Sequence, residues 1–221
     1  MVSLKRLRRH ASTHAQPQQP FLTLKAYPHS GVLDRALAKS LGLALPFEGV
    51  VFRSMGLRYA NQEDASSGAG PRLYGGRWNP IGLATFYASF SIELAGAEAL
   101  AISRYYGTDP ARTLPRVDAA FGVKLQRLLD LTDRKVRRRL GVTLTELRTS
   151  NWRAKNDRGE EDLTQAVGRC SAETGFEGLI VPSSEMIRGS NLVVFVRQLL
   201  RGSHVRGRGL KGLEALRQRR K

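Results

Sequence analysis

The stretch GGRWNPIGLATFYASFSIELAGAE, Gly75 to Glu98, reads as a turn, a strand, a second turn and a helix. Gly75 and Gly76 allow a sharp bend or the close approach of a ligand. Arg77 offers a planar fork of donors suited to phosphate, and Trp78 and Tyr87 are aromatic surfaces large enough to cover a flat ring. Pro80 and Gly82 mark the second turn. Leu83 to Ser89 then reads as a strand and Ile92 to Tyr106 as a helix. Leu94, Glu98 and Ile102 are four apart and share one helix face, so Glu98 is a carboxylate on an apolar stripe, costly to bury unless partnered. A functional carboxylate and a helix-edge Glu paired with an arginine stand level as readings. Glu93 differs: it follows Ser91 in the first turn, where a negative charge suits the helix dipole.

Outward from this stretch, elements of both kinds follow without regular alternation, which favours α+β over a doubly wound sheet. Val32, Leu33, Ala36, Leu37 and Leu41 have helical spacing, with Pro46 ending that helix. Gly49 to Arg53 reads as a short strand with Arg53 at its end, and Asn61 to Pro71 as a polar loop. After a linker from Gly107 to Pro115, a strand is expected from Val123 to Leu131. Helices are expected over Asp133–Leu140 and Thr143–Thr149, then a charged turn over Asn156–Glu161. Leu163, Val167 and Cys170 predict a helix over Asp162–Thr174, with Gly175 as its stop. GLIVP (Gly178–Pro182) and NLVVFV (Asn191–Val196) read as buried strands.

The chain has 221 residues and a net charge of +17, unevenly spread. Met1–His14 carries four basic residues and no acid, and Arg197–Lys221 nine basic residues and one acid, which leaves the middle at only +5. The expected organisation is a disordered basic arm over 1–20, a folded domain over 21–200 and a basic tail over 201–221. The tails could bind polyanions or an acidic partner. With the single cysteine Cys170 there can be no internal disulfide and no Cys-based zinc site, and a reducing, cytoplasmic setting fits. No apolar run is long enough for a membrane span, and no apolar stretch follows the basic start as in a secretory signal.

Several chemistries are disfavoured. The four histidines (His10, His14, His29, His204) lie outside the central region. A Ser-His-Asp hydrolase and a His-based metal site are therefore not supported, and neither a phosphate-binding Gly-Lys-Ser/Thr loop nor a G-x-G-x-x-G after a strand occurs. What remains is an anion cradle at Gly76-Arg77, Arg53 as a second cation, and Ser183 and Ser184 after the GLIVP strand, where a turn role is the plain reading. Trp78 and Tyr87 beside a strand are more often core aromatics than a ligand platform, and only their company with Arg77 raises them.

Taken in order, these motifs resemble the RES domain family. They are Arg53, Gly68-Ala69, Gly75-Gly76-Arg77-Trp78-Asn79, Tyr87, Glu98, Asn151-Trp152-Arg153, Thr164-Gln165, Pro182-Ser183 and Asn191-Leu192-Val193, spanning about Val50 to Val196. The resemblance implies an ADP-ribosyltransferase-like α+β fold with small mixed sheets flanked by helices. It also implies an NAD-consuming bacterial toxin covered by an Xre-type antitoxin. NAD would be the substrate, with no further cofactor and no metal. Glu98, Arg77 and Tyr87 would be catalytic, and Arg53, Gly76, Trp78, Asn79 and Ser183 would bind substrate. The outcome would be glycohydrolase or phosphorylase activity. The alternatives are ADP-ribosyl transfer to a macromolecule, or a non-enzymatic nucleic-acid-binding protein resting on the basic tails. Some family members carry a His one turn after the Glu, where this chain has Ile102.

Overall fold

The structure, a computed structural model, describes residues 24–210. The basic arm over 1–20 and the end of the basic tail, 211–221, lie outside the described residues. Among the described residues there are six strands: β1 (Leu45–Gly56), β2 (Thr85–Ser89), β3 (Arg116–Asp130), β4 (Gly178–Pro182), β5 (Ser190–Phe195) and β6 (His204–Gly207). Their order is β1-β2-β5-β4-β3-β6, and β1 also pairs with β3. Two antiparallel pieces result, β1-β3-β6 and β2-β5-β4. They are joined by the short parallel seam Leu128–Asp130 against Gly178–Ile180 and by one contact, Phe52 opposite Ser89. The fold is mixed α+β, as expected.

Alternation along β5 explains the two cores. Val193 and Phe195 face a helical layer containing Leu33 and Leu37 of α1 (Ser30–Ala38), Val136 and Leu140 of α5 (Arg134–Leu140), and Val167 and Cys170 of α8 (Leu163–Thr174). Leu192 and Val194 face the other way, toward Val51, Phe86, Phe121 and Leu125, where the Phe86 and Phe121 rings meet edge-on at 5.0 Å. A strand apolar on both faces is thereby buried on both.

The helix that follows β2 runs Ile92–Tyr106, as read (α4). The Ser91 hydroxyl caps it by accepting from the Leu94 amide, and Gly107 closes it in the left-handed region. α8 is capped by a reciprocal Asp162–Gln165 box and ends at Gly175, φ +99°. Among the described residues no helix is long and apolar enough to cross a membrane.

Five expectations shift. The first helix ends at Ala38, and Pro46 lies in β1, where the pairing with β3 changes register between Leu45 and Phe47; proline is tolerated at such an irregularity. Arg53 sits inside β1 rather than at its end. The polar stretch Asn61–Pro71 holds α2 (Gln62–Ser66) and the start of α3 (Ala69–Tyr74). The Asn61 side chain caps α2, and Glu63 and Asp64 occupy its first turn. α6 (Leu144–Thr149) forms as read, but α7 (Trp152–Asp157) takes over part of the expected charged turn. Finally, β6 lies in the sequence assigned to the basic tail, and Val205 and Leu210 are buried in the second core. The domain therefore runs past residue 200.

Glu177 locks the seam beside β4. Fully buried, it accepts from the Gln126 and Arg127 amides at 2.6 and 2.8 Å and from the Leu200 amide at 2.9 Å. Burial alone would raise its pKa, but the Ser203 hydroxyl and these amides outweigh it and hold it below the ordinary carboxylate value. A carboxyl whose folded pKa is depressed stabilises the fold above its unfolded pKa, and that contribution is lost as pH falls through the folded pKa. Glu177→Gln turns one acceptor into a donor facing these amides. It is expected to cost about 2–3 kcal/mol at neutral pH, with the gap to the wild type closing below the ordinary carboxylate range. Denaturant melts across pH measure this.

Candidate active site

The GGRWN turn is built as a bracket. Gly75 N–H donates to the Pro71 carbonyl, Gly76 N–H to the Asn79 carbonyl, and Trp78 N–H to the Tyr87 hydroxyl at 2.9 Å. Asn79 is fully buried; its Nδ2 donates to the Pro71, Pro80 and Leu83 carbonyls, and its Oδ1 accepts from the Tyr87 hydroxyl at 2.7 Å. A Cβ at Gly76 would stand 2.7 Å from both Asn79 Oδ1 and the Tyr87 oxygen, so only glycine fits. From above, Gln165 of α8 donates to the Gly76 and Asn79 carbonyls. The Gly75, Gly76 and Trp78 amides are thus occupied within the turn.

This relocates four expected site residues. Trp78, 2% exposed, belongs to the helical-side core and is no ligand platform. Gly76 and Asn79 shape the turn rather than a binding surface. The Arg77 guanidinium caps the end of α6: its Nη1 donates to the Ser150 carbonyl at 2.9 Å and to the Leu147 and Arg148 carbonyls at 3.5 Å. Burial pulls the Arg77 pKa down, while Glu98, Asp162 and Glu185 pull it back up, so its charge still acts on the carboxylate region. The Tyr87 hydroxyl is raised in pKa, chiefly by burial, and stays a neutral phenol.

Glu98 is where the site converges. α4 carries it beside the ends of β2, β4 and β5. Its Oε1 accepts from the Ser183 hydroxyl at 2.7 Å and from Asn191 Nδ2 at 2.6 Å. Ser183, just past β4 and 1% exposed, in turn accepts from the Glu185 and Met186 amides. The Ser89 hydroxyl donates to Asn191 Oδ1 at 2.7 Å. Three strand or helix ends therefore fix one carboxylate, which satisfies the requirement that a part-buried charge be partnered.

In front of Glu98 lies a cavity of about 230 Å³ lined by Phe52, Arg53, Ser54, Tyr87, Ser89, Glu98 and Asn191, with Ala88, Ala95 and Ala99 completing its wall. Arg53 projects from β1. It donates to the Ala65 carbonyl at 3.2 Å and stacks over Phe86 at 5.2 Å, and among the described residues no carboxylate lies within ion-pair distance of it. Burial and then the neighbouring Arg116 lower its pKa to about 10, so it remains a cation. Arg116 bonds the Ser54 hydroxyl and carbonyl. The cavity lining thus combines a cation, Arg53, with a fixed carboxylate, Glu98.

Of the sequence-expected residues, the structure brings together Arg53, Tyr87 (through its ring), Glu98 and Ser183. Gly76, Trp78 and Asn79 stand behind them as scaffold, and Arg77 stands outside the cavity lining. Asn191, Ser89 and Ser54 line the cavity or hold Glu98 and are not legible as site residues from strand patterning. The signal for Asn191 is a polar side chain opening an otherwise apolar strand. Asp34, Cys170 and Glu173 have donor atoms within 4.8 Å of one another, but they suit a metal poorly. Burial, then a hydrogen bond with Asp34, pushes the Cys170 thiol up to about 12, and Glu173 already pairs with Arg169.

The RES domain family model matches residues 50–207, and the chain belongs to the RES domain family. A comparison with curated proteins finds no match. Among solved structures, the chain is similar to one in the crystal structure of the M. tuberculosis MbcT–MbcA toxin–antitoxin complex. That likeness has a TM-score of 0.61 and 24% identity over 84% of this chain and 99% of that one. At that identity it speaks for the fold.

Proposed function

We propose that this RES domain protein is the toxin of a toxin–antitoxin pair and consumes NAD by breaking the nicotinamide–ribose bond. The observation that carries the reading is Glu98, held by Ser183 and Asn191 and lining a small cavity together with Arg53, a cation with no carboxylate within ion-pair distance among the described residues. At about 230 Å³ the cavity falls below the ~300–1,000 Å³ of clefts that enclose drug-sized ligands. It suits the nicotinamide–ribose end of the dinucleotide, with the diphosphate toward Arg53.

Cleavage moves the C–N bonding pair onto the ring nitrogen of a leaving group that is already cationic, so bond breaking needs no proton and no histidine is required among the cavity-lining residues. Positive charge develops at the anomeric carbon, where a fixed carboxylate stabilises it. Water then adds there and gives up a proton to solvent, yielding ADP-ribose, or a phosphate oxygen adds there and yields the 1-phosphate. An ADP-ribosyltransferase-like character of the fold, an Xre-type antitoxin over the site and action in the cytoplasm belong to this reading. ADP-ribosyl transfer to a macromolecule shares the first step. The test is nicotinamide release from NAD by purified protein with and without phosphate: phosphate dependence marks phosphorolysis, and absence of release under both conditions counts against either reaction.

The rival reading, a basic nucleic-acid-binding protein, rests on the +17 charge. A truncation separates the two. Cutting at Ser203 would remove β6 and the buried Leu210, so the cut belongs after Leu210. Removing 211–221 is expected to leave nicotinamide release within about twofold of wild type. It should also flatten the salt dependence of polyanion binding, because five basic residues go with it. Parallel NAD assays and salt titrations of polyanion binding measure both.

A further inference from the structure

We infer that Asn191, oriented by Ser89, is a positioning residue that sets which oxygen of Glu98 works on the substrate. The inference rests on the reading of the cavity as an NAD-cleaving site.

Ser89 closes β2 and Asn191 is the second residue of β5, and the two are directly paired in register. Their side chains meet at 2.7 Å, with the Ser89 hydroxyl donating to Asn191 Oδ1. That leaves Nδ2 to donate to Glu98 Oε1 at 2.6 Å. Turning the amide over would put Oδ1 against the carboxylate, acceptor facing acceptor, so a single orientation is favoured. Ser183 donates to the same Oε1. Both donors therefore load one oxygen, and no donor among the described residues reaches Oε2. A carboxylate held by one oxygen on two donors cannot swing, and its other oxygen is left for the substrate. Ser89 and Asn191 both line the cavity with Glu98. A tie that merely joined α4 to β5 would not need a second hydroxyl dictating which way the amide points.

The experiment uses the full chain with NAD as probe and reads kcat and KM separately for wild type, Asn191→Leu, Ser89→Ala and the double variant. For Asn191→Leu, kcat should fall by about 10–100-fold, the range seen when the partner of a working ligand is removed, while KM changes by less than about threefold. Ser89→Ala alone should lower kcat by a smaller factor. Added to Asn191→Leu it should do nothing further, because Ser89 acts through Asn191; such non-additivity marks direct coupling. Ser89→Ala removes a single oxygen and keeps the test open if Asn191→Leu does not fold. An active wild type whose kcat is unmoved in the variants, or moved additively, or whose KM alone rises, overturns the inference and leaves the proposed function standing. A wild type without nicotinamide release overturns both.

Discussion

Glu98→Gln is expected to reduce nicotinamide release from NAD by about 10²–10³-fold while leaving the fold intact. The side-chain oxygen of glutamine can still accept from the Ser183 hydroxyl and Asn191 Nδ2, so the contacts that dock α4 against β4 and β5 survive. What disappears is the negative charge facing the anomeric carbon. Two unit charges about 4 Å apart at an effective dielectric near 20 interact by about 4 kcal/mol, and each 1.4 kcal/mol is a factor of ten in rate. Glu98 is only half-buried, and screening by water brings the effect below that limit. The measurement is single-turnover and steady-state nicotinamide release, with circular dichroism to establish folding. Unchanged release from a folded Glu98→Gln protein would remove the carboxylate from the mechanism. The cavity would then be a binding site whose chemistry lies elsewhere.

How far this could be read from the sequence differs element by element, for physical reasons. α4 and α8 are legible at both ends because their boundaries are set locally, by Ser91 and Asp162 at the start and Gly107 and Gly175 at the stop. β4 and β5 are legible because a strand buried on both faces is a continuous apolar run. β6 is not: HVRG has no apolar run, and β6 exists because β3 offers it an edge. The role of Glu98 is half legible, since an acid on an apolar stripe demands a partner, but which partner depends on Ser183 and Asn191, far away in the chain. The placement of Arg77 and Trp78 is not legible for the same reason. A GGRWN turn with a cation and an aromatic has the composition of a ligand cradle. Its direction, into the core and onto the end of α6, is decided by the helix that lies across it.

That helix gives the second large expected effect. Gly168 stands in the middle of α8, where glycine costs roughly 1 kcal/mol relative to alanine, so propensity alone predicts that Gly168→Ala stabilises. Packing reverses the sign. A Cβ at Gly168 would sit 1.8 Å from the Trp78 carbonyl oxygen and 2.8 Å from its carbon. The obstacle is backbone, fixed by the Gly75, Gly76 and Trp78 hydrogen bonds and by Gln165 one turn earlier on the same helix. Neither partner can give way by changing a rotamer, so α8 must lift off the turn. The expected cost is about 3 kcal/mol, at the upper end for overpacking, or a fall in Tm of roughly 6–12 °C for a domain of this size. Lifting α8 also loosens the Asn79–Tyr87 bracket behind the cavity, so nicotinamide release should drop at temperatures where the variant is still folded. Calorimetry and activity across temperature test both halves. A Gly168→Ala protein as stable as wild type would mean that α8 does not clamp the turn, and the scaffold role given to Gly76, Trp78 and Asn79 would fall with it.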